Sequence, residues 1–272
     1  MALCGLLLGL LARGAGADDP SYTVTTGPRV DATFRAPDAS PISLSFRLDG
    51  AAPRSAMAEF GYSDSEVKAI YASCAGCDAS GVLARVDQYY RDHGFIPEHL
   101  STGSTSLSVD VPASVRRNGV RVRPVASALQ ALAQSRGYTS DEELGVAVAF
   151  VQGAMEYRRP PNTEAGRQIV GFYPAPRALE VGAGDCDTKS ALLAAVVSNF
   201  SAAHMVGVHV PGHYLVGIDR VPRSGDAFVR YQGEPYVLIE ASGPALLPPG
   251  VISPSTQSAL KAMSGVRIDW LF

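Results

Sequence analysis

A chain of 272 residues, 46% hydrophobic and 18% charged, with a formal net charge of -3, has a soluble globular composition sufficient for one large domain or two modest ones. Lysine occurs only at Lys68, Lys189 and Lys261 and the arginines are scattered, so no nucleic-acid partner is expected. Beyond the N-terminus no segment is long and apolar enough for a stable membrane span.

The chain begins MALCGLLLGLLARGAGADDP. Leu6–Leu11 is too short to cross a bilayer as a helix, and Ala15-Gly16-Ala17 after it has the small residues of a cleavage site. This predicts a signal peptide over residues 1–17 and an exported chain, periplasmic or secreted. No Lys or Arg precedes the apolar run, and Cys4 offers a lipoprotein alternative. Next, SYTVTTGPRVDATFRAP and ISLSFRLDG alternate apolar and polar residues with β-branched content and read as strands.

Residues 64–94 read as helices on either side of Cys74-Ala-Gly-Cys77. In an oxidising compartment these two cysteines can close a structural disulfide; the alternative is a redox dithiol. Asp78 stands where a haem-attachment motif needs histidine. Further on, VRRNGVRVRP, residues 115–124, has Asn118-Gly119 between alternating residues and reads as a β-hairpin with a basic face. PVASALQALAQSRG follows as a short helix ended by Gly137. Residues 18–135 thus form a mixed strand and helix region of no assigned role.

TSDEELGVAVAFVQGAMEY carries the strongest helix signal. Ser140 with Glu143 predicts a capping box, Leu144, Val148, Val151 and Met155 a buried stripe, and Pro160-Pro161 the stop. A loop-rich stretch leads to VGAGDCDTKSALLAAVV, residues 181–197. Strand patterns come next in MVGVHV, HYLVGID, FVRY and YVLIE, then a proline-punctuated tail that is briefly helical and finally strand-like.

Three side chains stand out as candidate chemistry. Gly182 and Gly184 permit unusual backbone angles, Asp185 can cap the following helix, and Cys186 falls in its first turn. Unpaired N–H groups and the helix dipole favour a thiolate there and can receive an oxyanion, whereas Asp185 and Asp187 oppose that charge. With Cys74 and Cys77 paired, Cys186 is the odd thiol of an exported chain. His213 opens one strand and Glu240 closes another. In an antiparallel register opposing Tyr214 to Ile239 and Val216 to Val237, His213 falls opposite Glu240, and an imidazole–carboxylate pair supplies the missing cation. His209 and His213 have a ligand spacing only a helix could use, and Pro211-Gly212 breaks it, so no metal and no cofactor is expected. His93, His99 and His204 have no identifiable partner and read as solvated.

The order Gly-Asp-Cys186-Asp-x-Lys-Ser, then His213-Tyr-Leu-Val-Gly, then Tyr-Val-Leu-Ile-Glu240-Ala-Ser resembles the transglutaminase-like superfamily in its bacterial exported branch, over residues 138–245. The resemblance implies an α+β fold with a papain/transglutaminase-like core over residues 136–272, a catalytic helix packed on an antiparallel sheet. It implies Cys186 as nucleophile, His213 as general base and acid, and Glu240 as the orienting carboxylate, a place where family members more often have Asp. Cross-linking members carry an oxyanion-stabilising tryptophan upstream of the cysteine; here the only tryptophan is Trp270. Phe150-Val151-Gln152 instead resembles the Phe-Val-Gln helix of bacterial relatives. Gln152 then either donates to the oxyanion or faces away from the site.

The function so implied is cysteine-dependent hydrolysis of peptide or amide bonds in a protein or peptide substrate, through an acyl-thioester. Amine transfer to protein glutamine by the same triad is the second outcome. A non-catalytic peptide-binding or assembly module is the rival of another class.

Overall fold

The computed structural model describes residues 20–25, 29–74, 76–262 and 265–272. The expected signal peptide and Cys4 lie outside the described residues. β1 (Ser21–Val24), β2 (Arg29–Arg35) and β3 (Pro41–Arg47) form an antiparallel sheet in that order. The alternation read from the sequence sets its faces: Val30, Ala32 and Phe34 on β2 and Ile42, Leu44 and Phe46 on β3 are all buried. α1 (Ala52–Ala58), α2 (Asp64–Ser73) and α3 (Ala79–Asp92) follow. Cys74 and Cys77 are joined in a disulfide between α2 and α3, and the Asp78 carboxylate caps α3 by accepting the Gly81 N–H at 2.8 Å.

A short hairpin, β4 (Phe95–His99) with β5 (Thr105–Val109), leads into α4 (Val111–Asn118). The hairpin expected at 115–124 is therefore wrong: this stretch is the end of α4, one 3₁₀ turn at Val120–Val122, and the start of α5 (Arg123–Ser135). Two forces outweigh the Asn-Gly signal. Asp110 caps α4 at the Ala113 N–H with Pro112 in the first turn, and Val111, Val115, Val122, Val125 and Leu129 bury themselves at helical spacing. Gly119 keeps right-handed helical angles (φ -51°, ψ -49°) where a type I′ turn needs positive φ.

α6 (Ser140–Ala149) starts one residue earlier in its cap than expected. Thr139 and Glu142 form the reciprocal box, not Ser140 and Glu143. Leu144, Val148, Val151 and Met155 are all buried, but so are Val146, Ala147, Ala149 and Phe150, so the helix is enclosed nearly all round. It does not run to Pro160. It widens into a π-helical turn (Phe150–Ala154) and gives way to β6 (Glu156–Tyr157). β7 (Thr163–Glu164) and β8 (Arg167–Gln168) make a small hairpin before α7 (Ala175–Val181), β9 (Ala183–Gly184) and α8 (Cys186–Val197).

The C-terminal sheet contains β10 (Met205–Val210), β11 (His213–Asp219), β12 (Phe228–Tyr231), β13 (Glu234–Ile239) and, after α9 (Pro254–Ala262), β14 (Arg267–Trp270). Its order is β12-β13-β11-β10-β14, antiparallel throughout. Tyr214, Val216, Ile218, Val237 and Ile239 face the buried flank of α8, while Val206, Val208, Leu215 and Leu238 pack under Ile252, Ala259 and Leu260. The fold is thus a mixture of helices with mainly antiparallel sheets. One hydrophobic cluster joins Phe34 and Phe46 to Val148, Leu192 and Ile239, so the core crosses the boundary expected between residues 135 and 136. Phe150 is the pivot, its ring centroid 5.7 Å from Phe34 and 6.2 Å from Phe46.

Candidate active site

α7 ends at Gly182, whose left-handed angles (φ 69°, ψ 22°) reverse the chain, and the Tyr22 ring sits where its Cβ would be. β9 then pairs in parallel with β6, Ala183 beside Glu156 and Gly184 beside Tyr157. Gly184 matters for space rather than for unusual angles: a Cβ there would lie 2.4 Å from Thr188 Cγ2. Asp185 occupies the N-cap position in extended backbone, but its carboxylate makes no capping bond. It turns to Asp187. Burial, and then this hydrogen bond, holds the Asp187 carboxyl well above the usual range. With Asp187 raised to about 8, its carboxyl is neutral near pH 7 and one of the two negative charges the sequence sets beside the thiol is removed.

Cys186 is the first residue of α8 and half-buried. By helix geometry its own N–H and that of Asp187 have no intrahelical acceptor. Its thiol is within hydrogen-bonding reach of the His213 ring and of the Tyr157 hydroxyl. His213 opens β11 directly after Gly212, which turns the chain at φ 75°. Its Nε2 stands 3.1 Å from Glu240 Oε1, with the oxygen off the N–H axis, so the contact is an ion pair rather than an aligned hydrogen bond. Burial opposes a charge on His213, but the adjacent Cys186 thiol and Glu240 carboxylate outweigh it and raise the ring to about 9.

Glu240 follows the last residue of β13 and is buried. Its Oε2 accepts the Ser253 N–H at 2.7 Å and its Oε1 the Thr256 hydroxyl at 3.2 Å. Burial would raise this carboxyl; His213, Ser253 and Thr256 together hold it below the usual carboxylate range. The register assumed from sequence is wrong by two residues: Val216 opposes Ile239 and Ile218 opposes Val237, which continues to Glu240 opposite Leu215. A two-residue shift keeps Glu240 on the same face as His213, as a diagonal neighbour, and the glutamate side chain covers the distance.

Gln152 does not have a free amide for an oxyanion. Its Nε2 donates to the main-chain oxygens of Glu240 (2.6 Å) and Leu247 (2.9 Å), and its Oε1 accepts the Leu247 N–H (3.1 Å). Both amide hydrogens are used because the π-helical turn aims the side chain inward, at 2% exposure, onto the loop after β13. Lys189, fully buried, reaches the same loop: Nζ donates to Ser242 O (2.7 Å) and to Met155 O (3.1 Å). Burial lowers its pKa to about 8. Tyr157, Ser253 and Thr256 carried no signal in the sequence, since none stands in a recognisable motif. The other histidines have partners the sequence did not disclose: His93 with the Tyr89 carbonyl (2.7 Å), His99 with Asp87 (2.8 Å), His204 with Asp219 (3.7 Å), and His209 with Asp269 (3.3 Å). No helix among the described residues is long and apolar enough to cross a membrane. Comparison with protein-family models, with curated proteins and with solved structures found no match.

Proposed function

We propose that this protein is an exported, cysteine-dependent acyl-transfer enzyme of transglutaminase-like type that hydrolyses peptide or amide bonds. One observation carries the reading: three side chains distant in sequence meet, with the His213 ring between the Cys186 thiol and a Glu240 carboxylate 3.1 Å away. A helix bearing the thiol against an antiparallel sheet bearing the base and the acid is the arrangement expected of a papain-like core.

In this mechanism the thiol proton rests on His213 at neutral pH, and the Cys186 thiolate Sγ attacks the substrate carbonyl carbon. The oxyanion forms near the N–H groups of the first turn of α8 and the Tyr157 hydroxyl. The imidazolium, stabilised by Glu240, gives its proton to the departing amine, the C–N bond breaks, and an acyl-thioester remains. Water then attacks the thioester with the now neutral His213 as base, releasing a carboxylic acid and restoring the thiolate–imidazolium pair. Gln152 and Lys189 hold the loop that carries Glu240 and take no proton in either half-reaction.

Alkylation by iodoacetamide across pH tests the thiol directly. With Cys74 and Cys77 in a disulfide, Cys186 is the free thiol among the described residues. The expected result is rapid carboxamidomethylation of Cys186 at neutral pH that slows at least tenfold in His213→Ala. Reaction only above about pH 8, as for an ordinary thiol, with no difference in the variant, would remove the enzyme reading.

A further inference from the structure

A cleft of about 790 Å³ opens beside Tyr157. Its walls come from parts of the chain far apart in sequence: Ser21 and Tyr22 of β1 with Arg35 of β2 on one side, Glu156 and Tyr157 of β6 on the other. Both walls are strand edges with no further strand partner among the described residues. Among the described residues β1 is outermost in the order β1-β2-β3, and β6 pairs only with β9.

The direction of the main-chain groups follows from the ladders. Thr25 N–H donates to Arg29 O, and hydrogen-bonded pairs alternate along an antiparallel ladder, so Ser21 and Thr23 bond across to β2. The N–H and C=O of Tyr22 between them point to the open edge. On β6, Glu156 and Arg158 donate to the carbonyls of Gly182 and Gly184, so the main chain of Tyr157 points away from β9. The same Tyr157 places its hydroxyl at the Cys186 thiol. Free edges of this kind accept an extended peptide as an added strand.

Charge at the cleft favours one class of peptide. Glu156 is countered by Arg158 at 3.0 Å. Arg35, half-buried, gives one N–H to the Ala39 carbonyl at 3.1 Å and has no carboxylate partner among the described residues. A guanidinium held by a single carbonyl keeps its remaining donors for a ligand carboxylate.

We propose that the cleft binds an extended peptide segment by strand addition against β1 and β6, with an acidic side chain of that segment on Arg35. The proposal rests on the acyl-transfer reading only in taking the bound peptide as substrate; binding itself does not need a reactive thiol.

The test uses the full chain carrying Cys186→Ala and fluorescent octapeptide pools with glutamate, glutamine or lysine fixed at the centre. The glutamate pool is expected to bind about tenfold more tightly than the glutamine pool. Arg35→Gln abolishes that preference, Arg35→Glu transfers it to the lysine pool, and N-methylation of alternate peptide bonds weakens binding of every pool. Thermal unfolding coincident with the parent chain shows that both Arg35 variants are folded. Absence of binding, equal binding of the glutamate and glutamine pools, a glutamate preference retained in Arg35→Gln, or indifference to N-methylation would each overturn the proposal. Failure of the acyl-transfer reading is seen separately, in the iodoacetamide profile of the chain with Cys186 intact.

Discussion

The side-chain amide of Gln152 donates to the main-chain oxygen of Glu240 at 2.6 Å, across 88 residues of sequence. A second bond from the same nitrogen and one to its oxygen tie it to Leu247, so one buried and two part-buried backbone groups on one loop depend on this side chain. The carboxylate that faces His213 is therefore held from both ends, through its own oxygens by Ser253 and Thr256 and through its backbone by Gln152.

Gln152→Ala leaves those backbone groups unpaired. Unsatisfied buried groups cost ~1–3 kcal/mol each, and with some relaxation of the loop the expected loss is about 2–4 kcal/mol in urea-induced unfolding. An oxyanion donor would behave differently: its removal lowers turnover by roughly 10²–10³ with little change in stability. Measuring stability and turnover on the same variant separates the two roles.

The His213–Glu240 pair makes stability depend on pH in a definite window. The ring stands at about 9 in the folded chain against an ordinary 6.5, so its contribution is complete below about pH 6.5 and is lost as pH rises through about 9. Glu240 is depressed, so its contribution is complete above the ordinary carboxylate range and is lost as pH falls below that range through the folded-state value. The stability difference between wild type and Glu240→Gln is expected to be largest near pH 6 and to shrink toward pH 9.5. A difference that stays constant over that range would show that no such ion pair forms.

Lys189 gives the opposite slope. Its pKa falls from 10.5 to about 8 on burial, so below pH 8 its charge opposes folding, and that penalty is relieved between about 8 and 10.5. Wild type is expected to gain stability relative to Lys189→Met as pH rises through that interval. Denaturation midpoints at pH 7.5, 9 and 10.5 measure the change, and parallel curves would contradict the burial of the ammonium.

Gly184→Ala places a methyl 2.4 Å from Thr188 Cγ2 and 2.9 Å from its Cβ. Overpacking of this kind costs ~1–3 kcal/mol, and here it also displaces the turn that delivers Cys186. A lower melting temperature together with slower alkylation is expected. Thr188→Ser, which removes the nearer methyl and keeps the hydroxyl that accepts the Tyr173 N–H, is expected to restore part of both.

Legibility in the sequence followed the range of the forces involved. β10, β11, β12 and β13 were readable because each alternates or runs apolar over its own length, and α8 because a glycine-rich entry precedes an apolar helix. Residues 115–124 read locally as a hairpin because Asn118-Gly119 is a strong turn signal, while the valines that keep the stretch helical act only when buried against other elements. The cap of α6 slipped by one because TSDEE supports two capping boxes and only backbone angles choose between them. Gln152 keeps two roles open in the sequence because a glutamine among apolar residues says nothing of which carbonyls it will meet.

By itself the sequence determined which side chains are able to do chemistry: an odd thiol at a helix start, a histidine opening one strand and an acid closing another, all properties of nearest neighbours and periodicity. Only the tertiary structure decided that Glu240 meets His213 from a register two residues away from the assumed one, that burial keeps the Asp187 carboxyl protonated beside Cys186, and that strand edges more than 130 residues apart line one cleft. Those outcomes depend on burial and on contacts between residues far apart along the chain, and no local pattern encodes the distance at which two such residues come to rest.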